Sequence, residues 1–186
     1  MTKNEEKTKL PEIVKERWTQ WVALTTTILA VCTAISSMKG GGYSGRIQIL
    51  NTQEANRWSY YQAKSIKENL SSSAKDNLLA YTMNSTDLKT RQAVEEKIKK
   101  YDEKILKYKE EEETIKKEAE ALQEEQKECK KHSASFGFAV MWLQIAIMLS
   151  SVSALLKKKE LWYAGLCFGI AGLVYMLNGY LLFFPA

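Results

Sequence analysis

From Val94 onward a mostly apolar series recurs in steps of four and three. Val94, Ile98, Tyr101, Ile105, Tyr108, Glu112, Ile115, Ala119, Leu122, Gln126 and Cys129 form a heptad seam, and nearly everything between them is Lys, Glu or Gln. So narrow a stripe predicts a helix laid along one other helix. Glu112 and Gln126 are polar and Ala119 is small, so the seam is strong at its start and weaker towards its end. Upstream, residues 46–83 read as a second helix. Its apolar residues (Ile47, Leu50, Trp58, Tyr61, Ile66, Leu70, Ala74, Leu78 and Tyr81) are expected on one broad face. Residues 83–87 read as a turn, with Ser85 or Thr86 as the next N-cap and Asp87 in the favourable first turn.

The two helical arms are nearly matched, roughly 57 Å and roughly 67 Å at the helical rise. That balance suits an antiparallel hairpin over residues 46–131. With the turn centred near residue 85, Glu112 is expected beside Trp58, and Tyr108 beside Tyr61 and Gln62. The weak part of the seam then accommodates the bulky aromatics.

Outside the hairpin the pattern changes from periodic to continuous. Residues 21–38, 136–156 and 161–184 are almost free of charge, and each is long enough to cross the hydrocarbon core of a bilayer. Trp18, Trp21, Trp162 and Tyr163 stand at the ends of such runs, where an amphipathic ring is favoured. The fold class expected is therefore an all-α membrane protein, with three transmembrane helices and a long antiparallel helical hairpin (a coiled coil) between the first and second. The first span is rich in hydroxyls, including Thr25, Thr26, Thr27 and Thr33. These are expected to bond within the helix or to a neighbouring span; lining a polar path is the alternative. Gly165, Gly169 and Gly172 form a small-residue face on the third span that permits close approach of another helix, and Gly179 extends it.

Punctuation between these blocks is sparse. Only Pro11 and Pro185 occur, both near the ends, and Pro11 is expected to open a short helix. The glycines of residues 39–45 are expected to break the chain into a hinge, because glycine costs roughly 1 kcal/mol inside a helix. Residues 157–160 form a short basic turn. The first apolar run also invites reading as a cleaved signal peptide. Its length, and Val31 where the peptidase needs a small residue, favour an uncleaved anchor.

Charge sets the orientation. The net charge is only +5. The basic N-terminal segment, residues 1–20, and the Lys157–Lys159 turn lie on one side of a three-span chain. Positive residues near short loops are retained in the cytoplasm, so both are expected there and the hairpin on the opposite, periplasm-like side. Lys39, Lys130 and Lys131 flank the hairpin and pull weakly the other way.

The run Gln53-Glu54-Ala55-Asn56-Arg57-Trp58-Ser59-Tyr60-Tyr61-Gln62-Ala63-Lys64-Ser65-Ile66-Lys67 resembles the signature of a bacterial membrane protein family, the domain of unknown function 4337. Val22-Ala23-Leu24-Thr25-Thr26, Ala34-Ile35-Ser36-Ser37 and Leu161-Trp162-Tyr163 share the resemblance, which covers nearly the whole chain. It implies a multi-pass protein of the bacterial inner membrane and carries no particular activity with it.

Candidate chemistry is thin. Trp58, Tyr60, Tyr61, Gln62 and Lys64 are the best candidates for an interaction patch, because aromatics flanking a Lys and a Gln suit a ligand or a partner helix. Packing in the hairpin core is the alternative for Trp58 and Tyr61, which leaves Tyr60 as the better interface residue. His132 is the single histidine and has no acid or nucleophile at helical spacing. A positioned set of groups is what acid–base or nucleophilic catalysis requires, so no enzyme is expected. The acidic run of residues 110–113 reads as a solvated face, and Cys32, Cys129 and Cys167 are too dispersed for a disulfide framework or metal set. No cofactor, metal or nucleic acid is expected. The partners expected are the lipid bilayer, further copies of the chain, and a protein at the hairpin. The function expected is that of a membrane-anchored structural or interaction protein; a subunit of a transport or channel assembly is the alternative.

Overall fold

A computed structural model describes residues 5–84 and 88–184. Among the described residues the chain is all-helical and has no strand. It forms α1 (Glu5–Asn84), α2 (Leu88–Leu156) and α3 (Lys159–Leu181). Each of the three contains a stretch long and apolar enough to cross a membrane. The expected caps Ser85 and Thr86, with Asp87, lie outside the described residues.

Two expectations about helix boundaries are corrected. α1 begins at Glu5, ahead of Pro11, and nothing in the structure explains the earlier start. α1 also runs unbroken through residues 39–45, and no described glycine takes a positive φ. Gly40 has a packing reason to be there, since a Cβ would sit 3.1 Å from Phe136 Cβ. Gly41, Gly42 and Gly45 meet nothing within 4 Å, so their backbone freedom weakens the helix without ending it. Continuing a formed helix adds a hydrogen bond per residue, whereas restarting one requires a new nucleus.

The chain divides into two units. The first joins Met1–Ile47 with Lys127–Ala186. Its core is Leu29, Leu143 and Ala146, with Cys32, Ile147 and Phe168 packed around them. Gly165, Gly169, Gly172 and Gly179 of α3 are all buried. Their neighbours come from within the chain. A Cβ at Gly169 would lie 3.1 Å from Leu29, one at Gly172 2.6 Å from Leu143, and one at Gly179 2.9 Å from the Phe136 ring. The glycine face therefore packs α3 against α1 and α2.

The threonine hydroxyls of the first apolar run turn back on their own helix. Thr26 donates to Val22 O, Thr27 to Ala23 O and Thr33 to Leu29 O. Thr25 does the same and accepts the Trp162 indole N–H at 3.1 Å. At the basic turn Lys157 takes φ 56° and Lys158 is extended, while Ser153 Oγ donates to Lys158 O at 2.8 Å.

The second unit is Gln48–Gln126. Every seam residue from Val94 to Gln126 is buried or half-buried. Contacts between α1 and α2 fall in one register: Asn51 with Gln126, Arg57 with Glu118, Lys64 with Glu111, Glu68 with Lys109 and Lys75 with Asp102. Residue numbers rise on α1 as they fall on α2. This differs from the expected register in detail. Arg57 meets Glu118, so the stretch beside Trp58 lies beyond Glu112, and Tyr108 lies under the Lys64 ammonium. Opposite charges account for the difference: the expected register would set Lys64 opposite Leu106 and leave Glu111 without its cation. The broad apolar face of α1 is also corrected. Leu50 is buried, but Ile66, Leu70 and Tyr81 are exposed, and Ser71 is buried in their place.

Candidate functional site

The residues expected to form a patch on α1 separate into three roles. Trp58 and Tyr61, a turn apart, are half-buried and meet edge-to-face with centroids 5.7 Å apart. The Trp58 indole N–H donates to Glu54 Oε1 at 3.3 Å. The other Glu54 oxygen accepts from Gln126 Nε2, which also donates to Asn51 Oδ1. Gln126, read from sequence as a weakness of the seam, thus anchors a polar layer that orients Trp58. A buried amide bonded to two side chains of the facing helix fixes register as well as contributing stability.

Lys64 is the centre of the patch. Its Nζ lies 2.6 Å from Glu111 Oε2, over the Tyr60 ring at 5.2 Å and over the Tyr108 ring at 5.6 Å. Two aromatic faces and one carboxylate therefore surround the ammonium. The hydrogen bond to Glu111 raises the Lys64 pKa, and the same bond lowers that of Glu111. A lysine held more firmly protonated is the reverse of what a Schiff-base or general-base lysine needs. The geometry is that of a neutralised pair that fixes two helices. Tyr60 remains half-exposed and shares a shallow groove with Arg57, Glu110 and Thr114. Gln62 is exposed on a neighbouring face.

Next to this pair lies Glu112, whose Oε1 is buried without a hydrogen-bond partner. Burial raises its pKa first, and the like charge of Glu68 adds to the rise. Among the described residues no group of three His, Cys, Asp or Glu side chains is placed to hold a metal ion.

The first unit holds a second constellation, largely missed from sequence. His132 stacks on Tyr43 with centroids 4.7 Å apart, and its Nδ1 is 2.8 Å from Gly179 O. Asn178 is fully buried, donates to Ser135 Oγ and to Phe184 O, and accepts from the Phe184 N–H at 3.0 Å. That two-way bond ends α3, with Leu182 in the left-handed region at φ 49°. The span expected to reach residue 184 accordingly stops being helical at Leu181. The signal available in the sequence was an amide inside an otherwise apolar run, which requires partners when buried.

No curated protein and no solved structure matches the chain. The family model described as Domain of unknown function (DUF4337) matches residues 18–182, and the chain belongs to that family.

Proposed function

We propose that this is a membrane-anchored structural and interaction protein without a catalytic role. Three spans hold an antiparallel coiled-coil hairpin, and copies of the chain associate with one another. The observation that carries the reading is the single register of contacts along residues 51–75 of α1 and 102–126 of α2. Charge pairs such as Arg57–Glu118 and Lys75–Asp102 bracket the caged Lys64, so the available side-chain chemistry is used to align two helices. The basic turn at residues 157–159 and the basic N-terminus support a cytoplasmic N-terminus with the hairpin on the periplasmic side of a bacterial inner membrane. A protein partner at the hairpin would meet the exposed Tyr60 ring.

A channel or transport subunit with the first span lining a path is the competing reading. The back-bonded hydroxyls of Thr26, Thr27 and Thr33 weigh against it, because they already have acceptors in their own helix. Crosslinking and native mass of the detergent-purified complex test the proposal. An oligomer that shows no conductance in reconstituted bilayers is expected. Conductance that changes on Thr26→Leu or Thr33→Leu would replace this reading with the channel.

A further inference from the structure

The α1 residues turned away from α2 carry a second heptad stripe. Its alternate members are Ile49, Asn56, Ala63, Leu70 and Asn77; the residues between are Thr52, Ser59, Ile66, Ser73 and Ala80. All ten are exposed, with Ile49, Ile66 and Leu70 at 60%, 66% and 69%. None is ionisable. Thr52 and Ser59 donate to their own helix at Gln48 O and Ala55 O, so neither hydroxyl needs water as an acceptor. Ile66 and Leu70 lie a turn apart at the centre of this uncharged stripe and Ile49 at its start, so its exposed apolar side chains suit cover by another helix.

We propose that this stripe is the surface on which a second copy of the same chain docks, with the two α1 helices parallel and in register. The proposal rests on the self-association in the functional reading above and assigns it a face. Charge selects both the occupant and the direction. Chains inserted with one topology carry their helices in the same direction, so a copy meets like segments. On α2 that is unfavourable: residues 110–126 hold eight acidic and two basic residues, and residues 88–109 hold eight basic and four acidic. Two α2 helices side by side would oppose acid to acid and base to base. The α1 stripe carries no charge to oppose. Its heptad flanks bring Gln62, Asn69 and Asp76 of one copy towards Lys67, Ala74 and Tyr81 of the other, with no like-charged pair. Asn56 and Asn77 fall at equivalent heptad positions, where in a parallel pair each meets its own copy. Asparagine at such positions fixes register and two-stranded association at some loss of stability. The glycine face of α3, the other surface suited to close approach, is already filled from within the chain.

The test is cysteine crosslinking of the full-length protein in liposomes, with Cys32, Cys129 and Cys167 replaced by alanine. Ile66→Cys is expected to form an intermolecular disulfide, as is Asn77→Cys, while Leu106→Cys on α2, 62% exposed, is not. Ile66→Lys with Leu70→Lys should abolish the Asn77→Cys dimer. An intramolecular Arg57→Cys/Glu118→Cys crosslink reports whether each variant retains its fold. Crosslinking at 106 equal to that at 66, or an oligomer by native mass without crosslinking at 66 and 77, would overturn the surface and leave self-association standing. A folded chain that is monomeric by native mass would overturn both.

Discussion

Glu111 and Glu112 are neighbours in sequence, and the fold pushes their carboxyls in opposite directions. Glu111 gains the Lys64 ammonium and its pKa falls; Glu112 loses water around Oε1 and its pKa rises. A carboxyl with a lowered pKa contributes stability that is present above its unfolded value and is lost as pH falls through its folded value. One with a raised pKa acts in reverse: the folded state holds the proton more tightly, so its contribution is favourable at low pH and is lost as pH rises through the folded value. Glu112→Gln is therefore expected to raise thermal stability at pH 7, because the neutral amide removes the charge that burial disfavours. The gain should shrink as pH is lowered towards the ordinary carboxyl range; a melting series from pH 4 to 8 checks it. Lys64→Met is expected to lower the midpoint at pH 7, and the loss should diminish in acid as Glu111 protonates.

At the scale of the helix, the glycines of α1 and α3 are the same residue in two situations. In α3 they are spacers between helices. Gly172→Ala would drive a Cβ to 2.6 Å from Leu143 Cγ and 3.0 Å from its backbone nitrogen, and is expected to cost about 1–3 kcal/mol. Gly169→Ala meets the flexible end of Leu29 at 3.1 Å and Ala146 at ordinary contact distance, and should cost less. In α1, Gly41, Gly42 and Gly45 stand in open helical backbone, so alanine at each is expected to stabilise by about 0.5–1 kcal/mol. Differential scanning of the five variants in one detergent tests the opposite signs. The helices themselves were legible in the sequence, since a chain without proline between residues 11 and 185 has no strong internal stop. The unbroken passage through residues 39–45 was not legible, because propensity is a local quantity and helix continuity is cooperative.

At the scale of the molecule, the register between α1 and α2 is the feature most open to measurement. Paired cysteines at positions 57 and 118 should form an intramolecular disulfide, whereas a pair at 58 and 112 should form it poorly. The faster crosslink, read by gel mobility after mild oxidation, discriminates between the two alignments. With the proposed orientation, a membrane-impermeant thiol reagent should label Leu106→Cys only from the periplasmic side. Labelling from the cytoplasm would invert the topology. Register was only partly readable from sequence. The seam on α2 identified the face that is covered but left the sliding coordinate free, and an estimate of the turn position placed Glu112 beside Trp58. Five charged or polar contacts between α1 and α2 settle that coordinate in the fold.

The periodicities of the chain determined, without any structure, that it is all-helical, that three stretches suit a bilayer, and that residues 94–126 bury one stripe. These follow from solvation, which acts residue by residue along a helix. What the tertiary structure decided is which α1 residues meet that stripe. Ile66 and Leu70 are apolar and stay exposed, while Lys64, Glu68 and Ser71 turn inwards, because ion pairs form only in one alignment and a helix cannot turn one residue inwards without turning its whole face. Gln126 is a polar break in its seam, and Asn178 is an amide in an apolar run. Asn51 and Glu54 for the one, and Ser135 for the other, stand far from them in sequence, and only folding brings these partners within hydrogen-bond reach.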